Sequence, residues 1–232
     1  MISKPIWRLS SLGFLVLSAC AVTERGTIKN ESMGCRFIGV SCSQMKPGKD
    51  EQAALRYLAK DADWTRYKKV LIDPITFWGS EGSDASGEDQ QMLIDYLHQQ
   101  LVAAVSKHYE IVTKPGPDVL RVDLALSDAS AATPVLRSVS VLYPQAHLLS
   151  NVAYAINGQF PFGGGIEGVS RLTDSSTGKL LGGFIDHQVG GGAVSTGFQW
   201  KWGDAQNAID LWVPRTTEVV YSWTSGQVKP TL

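Results

Sequence analysis

The chain lacks any apolar run long enough to cross a bilayer, lacks an excess of either charge, and has only three cysteines. The first absence excludes a spanning helix, which needs ~20 apolar residues in a row. Lys plus Arg total 21 and Asp plus Glu total 22, so the basic surplus by which nucleic-acid binders neutralise phosphates is missing. Four histidines, His98, His108, His147 and His187, stand far apart and without metal-ligand spacing. Neither a G-x-S-x-G elbow nor an H-E-x-x-H pair occurs. Asp186-His187 makes a triad with Ser195 or Asp210 only on paper, because any chain of this length permits such sets. His187 is therefore expected to be dispensable for folding and function. The reading is of a protein that is not an enzyme, with no catalytic residue, cofactor or metal to assign.

What is present begins at the N-terminus. Lys4 and Arg8 precede the apolar stretch Leu12-Gly13-Phe14-Leu15-Val16-Leu17, which ends in Leu17-Ser18-Ala19-Cys20. Positive, apolar and small-residue segments in that order read as a secretory signal. The last four residues match the lipobox of bacterial lipoproteins, which implies cleavage before Cys20 and acylation of its thiol. Several acyl chains, at ~0.8 kcal/mol per buried methylene, would make a lasting anchor. Ala21 follows Cys20 where an aspartate usually marks inner-membrane retention, so the resemblance favours the outer membrane, with the domain on its periplasmic face. Once Cys20 carries lipid, Cys35 and Cys42 remain as an even pair in an oxidising compartment. A disulfide is favoured there over two free thiols, although spacing alone does not establish it.

Residues 1–19 are thus read as the signal peptide, 20–34 as the lipidated cysteine and a polar tether, and 35–232 as one periplasmic domain. Val70, Leu71, Ile72, Ile75 and Phe77 predict a buried strand over Tyr67 to Trp78, with a bulge or edge at Pro74. Ser86 and Asp89 form a loose capping box for a helix whose core face is Leu93, Leu97, Leu101 and Ala104. A short strand follows at Tyr109 to Thr113. From Val119 to Ser127, Leu120, Val122, Leu124 and Leu126 alternate with Arg121 and Asp123. Ala146, Leu149, Val152, Ala153 and Ile156 suggest an amphipathic helix that either covers the sheet or meets a membrane or partner. Gly163 to Gly168 fits G-x-G-x-x-G, but a strand follows instead of the helix a dinucleotide requires. Asp174 to Lys179 is a hairpin turn. Trp200 and Trp202 are either core or a surface for stacking on a glycan or partner. A final helix from Asp204 to Trp223 presents Ala205, Ile209, Trp212, Thr216, Val219 and Trp223, and Pro214 should kink or split it. These elements predict an α+β domain with a mostly antiparallel sheet backed by two main helices.

Several segments resemble the lipoprotein family known as domain of unknown function 3313. They are Asp63-Trp64-Thr65-Arg66-Tyr67, Val70 to Pro74, Pro115 to Arg121, Pro144-Gln145-Ala146, Ile166-Glu167-Gly168, Asp174-Ser175 with Thr177-Gly178-Lys179, Asp186, and Trp202-Gly203-Asp204-Ala205. The resemblance brings no catalytic residues; Pro214 and the Cys35/Cys42 pair depart from it. The expectation is a non-enzymatic outer-membrane lipoprotein, an accessory or scaffold contacting another envelope protein or glycan. The contact surface is sought at Leu149, Val152, Trp200 and Trp202. A periplasmic small-molecule or glycan-binding domain is the alternative, and an envelope hydrolase the third reading.

Overall fold

A computed structural model describes residues 23–49, 51–79, 83–132, 163–190 and 201–232. Among the described residues nine strands form one sheet: β1 (Thr23–Arg25), β2 (Lys46–Pro47), β3 (Leu55–Leu58), β4 (Lys69–Ile72), β5 (Thr76–Phe77), β6 (Glu110–Ile111), β7 (Val119–Ser130), β8 (Gly165–Asp174) and β9 (Leu180–Gly190). Their order is β2-β3-β9-β8-β7-β4-β6; β1 also pairs with β9, and β5 with β7. Three helices among the described residues pack on the sheet: α1 (Glu31–Ile38), α2 (Gly87–Val105) and α3 (Gly203–Thr224). This is the α+β class the pattern predicts.

The long central strands follow from their residues. β8 and β9 join through Asp174-Ser175-Ser176-Thr177-Gly178-Lys179, where Asp174 Oδ1 accepts from the backbone N–H groups of Ser176 and Thr177, and Gly178 takes φ +72°. The sheet is antiparallel from β2 through β7, but β4 and β5 run parallel to β7, and β4 parallel to β6. The reason is α2, which carries the chain back across the sheet between β5 and β6. The single strand expected from Tyr67 to Trp78 is two strands, divided at Asp73-Pro74-Ile75 because proline has no N–H to give the ladder.

α2 and α3 lie together on one face. Ser86 Oγ accepts from Asp89 N while the Asp89 carboxylate accepts from Ser86 N, which closes the expected capping box. Leu93, Leu97, Leu101 and Ala104 are buried, over Leu120, Leu126 and Ile166 of the sheet. α3 is continuous across Pro214, which stands on the solvent side. Its buried face is Ala205, Ala208, Ile209, Val213, Thr217, Val220 and Thr224. Thr216 and Val219, expected inside, are exposed, because the 3.6-residue period set by Ala205, Ile209 and Val213 places Thr217 inward in spite of its hydroxyl.

The opposite face carries α1 over a smaller apolar layer of Cys35, Ile38, Met45, Ala125, Val169 and Ile185. Cys35 at the inner side of α1 is bonded to Cys42 in a disulfide, with Cα atoms 5.4 Å apart. The domain starts earlier than composition suggests. Thr23 to Arg25 pair with β9 and Glu31 begins α1, so of the polar stretch 20–34 only 20–22 lies outside the described residues. β1 escapes an apolar-period reading because its sequence, Thr-Glu-Arg, pairs through backbone, while the Arg25 side chain reaches the carbonyls of Lys49 and Gln52.

Candidate functional site

Three buried ionisable groups stand in a row on the α1 side of the sheet. Register sets Asp128 of β7 against Glu167 of β8, and Glu167 against His187 of β9. They are 6%, 0% and 1% exposed. A register shift between Leu126 and Asp128 brings in Ser127, whose Oγ donates to Glu167 Oε1 at 2.8 Å.

The chain from Gly26 to Asn30 lies over this row and is bonded to it almost residue by residue. Gly26 N donates to the His187 carbonyl at 2.8 Å. Lys29 N and Asn30 N donate to Glu167 at 2.6 and 3.1 Å, where the α1 N-terminus presents free N–H groups. Lys29 Nζ reaches Asp128 at 2.8 Å, and Asn30 Nδ2 the Ser127 carbonyl at 3.1 Å. His187 Nδ1 is 2.6 Å from the Thr27 carbonyl, which only accepts, so Nδ1 carries the proton. Burial lowers the His187 pKa and keeps the ring neutral, although the Thr27 bond pulls the other way. Nε2 is then a buried lone pair with no hydrogen-bond partner among the described residues.

Close approach seals the ring. A Cβ at Gly26 would stand 2.7 Å from Nδ1, and one at Gly165 would stand 3.2 Å from Nε2. The His187 side chain fills a slot between two glycines and holds Thr27, so His187→Ala, expected from sequence to fold normally, should instead lower stability. The row is a clamp on the chain's own N-terminal segment.

The paper triad does not assemble. Asp186 points to the other face, where it accepts from Trp212 Nε1 at 2.7 Å and Ala54 N at 3.0 Å, tying α3 and β3 to β9. Asp210 accepts from Tyr96 Oη at 2.8 Å, and Ser195 lies outside the described residues. Trp202 is core, 1% exposed, with Nε1 donating to Asp89 at 2.7 Å and Lys201 Nζ 4.9 Å above its ring. It pins the start of α3 to the cap of α2, which removes it from the contact surface. Leu149, Val152 and Trp200 lie outside the described residues, as does Cys20. Glu31, Cys35 and Cys42 bring possible metal-ligand atoms within 4.8 Å, but the two sulfurs are spent on each other.

A second charged set is more open. Arg121 holds Asp73 at 2.6 Å and Arg171 holds Asp123 at 3.2 Å, beside Phe37 and the half-exposed Trp78. Burial and the neighbouring Asp123 raise the Asp73 carboxyl. Asp123 moves down, because Asp73 and the two guanidiniums outweigh its burial. Sequence reasoning passed over Asp128, Glu167 and Ser127. The available signal was Glu167 itself, a lone carboxylate in the glycine-rich apolar run Gly163 to Val169.

The class so defined is a helix-backed α+β domain whose N-terminal segment is fastened into its sheet. The chain belongs to the family described as "Protein of unknown function (DUF3313)", which matches residues 37–216. No curated protein matches it. Among solved structures it is similar to two forms of the PelC dodecamer from Paraburkholderia phytofirmans. These are 11% and 12% identical, with TM-scores of 0.36 and 0.35, and each covers 69% of this chain and 95% of that one. A DUF4136 family protein from Bacteroides thetaiotaomicron is 9% identical, with a TM-score of 0.34 over 73% of this chain and 95% of that one.

Proposed function

We propose that this is a lipid-anchored protein of the bacterial envelope that works by contact with another envelope component and not by catalysis. The observation that carries the reading is the use to which the buried row is put. Asp128, Glu167 and His187 form a buried row of an acid, an acid and an imidazole, and they hold the segment that follows Cys20. Leu17-Ser18-Ala19-Cys20 supports acylation, and Ala21 supports the outer membrane. Growth with labelled palmitate tests the anchor: the natural chain should take up label and Cys20→Ser should not. Label retained on Cys20→Ser would refute it.

One observation favours hydrolysis as a second reading. Asp73 and Asp123 have pKa values pushed apart, the pattern by which an acid and a base are told from each other. Each carboxylate is nevertheless paired to an arginine, as in a structural lattice. Complementation separates the two readings: Asp73→Asn should fold and preserve function if the protein works by contact. A folded, normally abundant Asp73→Asn protein without function would overturn the contact reading.

A further inference from the structure

The segment 23–30 is fastened by polar bonds and by little else. Of its residues only Gly26 is fully buried, and Ile28 alone brings an apolar side chain to the layer under α1. Three backbone pairs to β9, the reach of Arg25 to the carbonyls of Lys49 and Gln52, and the bonds made at Gly26, Thr27, Lys29 and Asn30 do the rest. Segments with few buried apolar contacts open at the low end of a protein's range of local stability. α1 is held differently. Ile38 lies against Gly183, Gly34 lies against Ile185, and Cys35 is bonded to Cys42. The boundary between a loose strap and a fixed helix therefore falls at Glu31.

His187 is the group in this joint whose kind of side chain changes charge in mild acid. The neutral ring fits, because Nδ1–H donates to the Thr27 carbonyl and Nε2 carries no proton to place. An imidazolium has an N–H at both nitrogens. The second one would point into the slot at Gly165, where no acceptor stands among the described residues. Burial keeps the ring neutral against the pull of the Thr27 bond; Lys29 of the strap adds to burial, while Glu167 of β8 and Asp128 of β7 oppose it. Both carboxylates are already engaged, Glu167 by Lys29 N, Asn30 N and Ser127 Oγ, and Asp128 by Lys29 Nζ. Glu24 of β1, paired with Val189, is on the His187 face; Asp186 and Arg25 are on the other, and Glu31 of α1 is exposed. A charged His187 and a seated strap thus work against each other, and lifting the strap opens the slot to solvent.

We propose that residues 23–30 are a strap released by protonation: seated in the sheet at neutral pH, they leave it in mild acid when His187 takes a proton, while α1 and the core under α2 and α3 stay folded. The sign follows from the closed state, which holds the ring below its ordinary value. The grip is complete above about pH 6.5, the value of a free histidine, and weakens as pH falls below it. Release adds the length of residues 23–30, about 26 Å of extended chain, between Val22 and α1. Whatever is joined to the chain ahead of Thr23 is held close at neutral pH and at longer reach in acid. The strap does not depend on whether Cys20 carries lipid.

Hydrogen exchange read by mass spectrometry tests this on the chain as purified from cells, with protection taken relative to the intrinsic rate at each pH. Between pH 7.5 and pH 5 the protection of the 23–30 amides should fall by up to about 30-fold, the limit for one histidine with an unfolded pKa of ~6.5. Over the same range the amides around the Val122/Leu172 pair of β7 and β8 should keep theirs. His187→Asn keeps a donor for the Thr27 carbonyl and takes no proton, so its strap should be equally protected at both pH values. Histidine-ring NMR on the natural chain adds a check that needs no variant: His187 should take up its proton over the pH range in which the strap opens. Unchanged protection of 23–30 at pH 5, a loss shared with the Val122/Leu172 pair, or the same pH response in His187→Asn overturns the strap. So does a His187 ring that stays neutral after the strap has opened.

Discussion

Glu167 accepts from Lys29 N, Asn30 N and Ser127 Oγ while fully buried. Glu167→Ala should destabilise the domain by about 3–5 kcal/mol in urea unfolding, since it leaves three buried donors unmatched beside Lys29. Glu167→Gln should do less harm, because the amide oxygen still accepts. A loss of only a few tenths for Glu167→Ala would show that the clamp is incidental. Asp174, 2% exposed, gives a pH test. Burial pushes its carboxyl up, but bonds from Ser176, Tyr67 and Thr177 outweigh that and hold it well below the usual range. Tyr67 is pushed up in turn, by burial and by Asp174. With the folded pKa below an unfolded value of about 3.9, the stabilisation is complete above that value and is lost as pH falls through the folded one. Urea midpoints should drop below about pH 4 in the natural protein, and Asp174→Asn should be weaker at neutral pH with a flatter acid limb. An unchanged acid limb would count against Asp174.

Why residues differ in legibility is visible in these two. The Asp174 turn and the Ser86/Asp89 box bond within a few positions, so local chemistry names them. Glu167 meets partners 138 and 137 positions away, and nothing near it announces them. Cys35 and Cys42 were legible by parity; whether their Cα atoms stood close enough was not.

Elements were legible where one face alone is apolar. α2 reads cleanly because its apolar positions keep one period to the end, and Leu97→Ala should cost about 2–5 kcal/mol. Leu124 is only partly buried, so Leu124→Ala should cost less than Leu97→Ala; the reverse order, measured by chemical unfolding, would contradict the packing described. α3 was misphased because Trp212 and Val219 looked like core. Trp212 in fact serves Asp186 from a half-buried position, and Thr217 takes the inward place. Pro214 deprives the Asp210 carbonyl of its helical donor without ending the helix. Pro214→Ala should raise the unfolding free energy, by up to ~3 kcal/mol. A fall in stability would mean that the proline sets a bend the packing needs. The parallel pairing of β4, β5 and β6 was hidden because strand direction depends on where α2 lands.

At the scale of the whole molecule, the α+β class and the helix-backed sheet followed from the order of elements, while the way the N-terminal segment joins the sheet did not. Cys35 and Cys42, seven positions apart, close a short loop where α1 ends. Replacing both by serine should lower stability by about 2–3 kcal/mol, compared with the oxidised natural chain in urea. An unchanged midpoint would mean that the bridge restrains nothing the fold does not already restrain.

A pull on the N-terminus meets this domain lengthwise. β1 lies antiparallel on β9, so its ladder bonds sit across the direction of tension and yield together in shear, along with the grip of Glu167 and His187 on the following turn. Once that joint gives and unravelling reaches Cys35, the sulfur bridge carries the tension past residues 36–41 to Cys42. Single-molecule stretching to full extension should therefore give a contour about 20 Å shorter under oxidising conditions than after reduction. The disulfide keeps residues 36–41 out of any extension that a pull on the N-terminus produces.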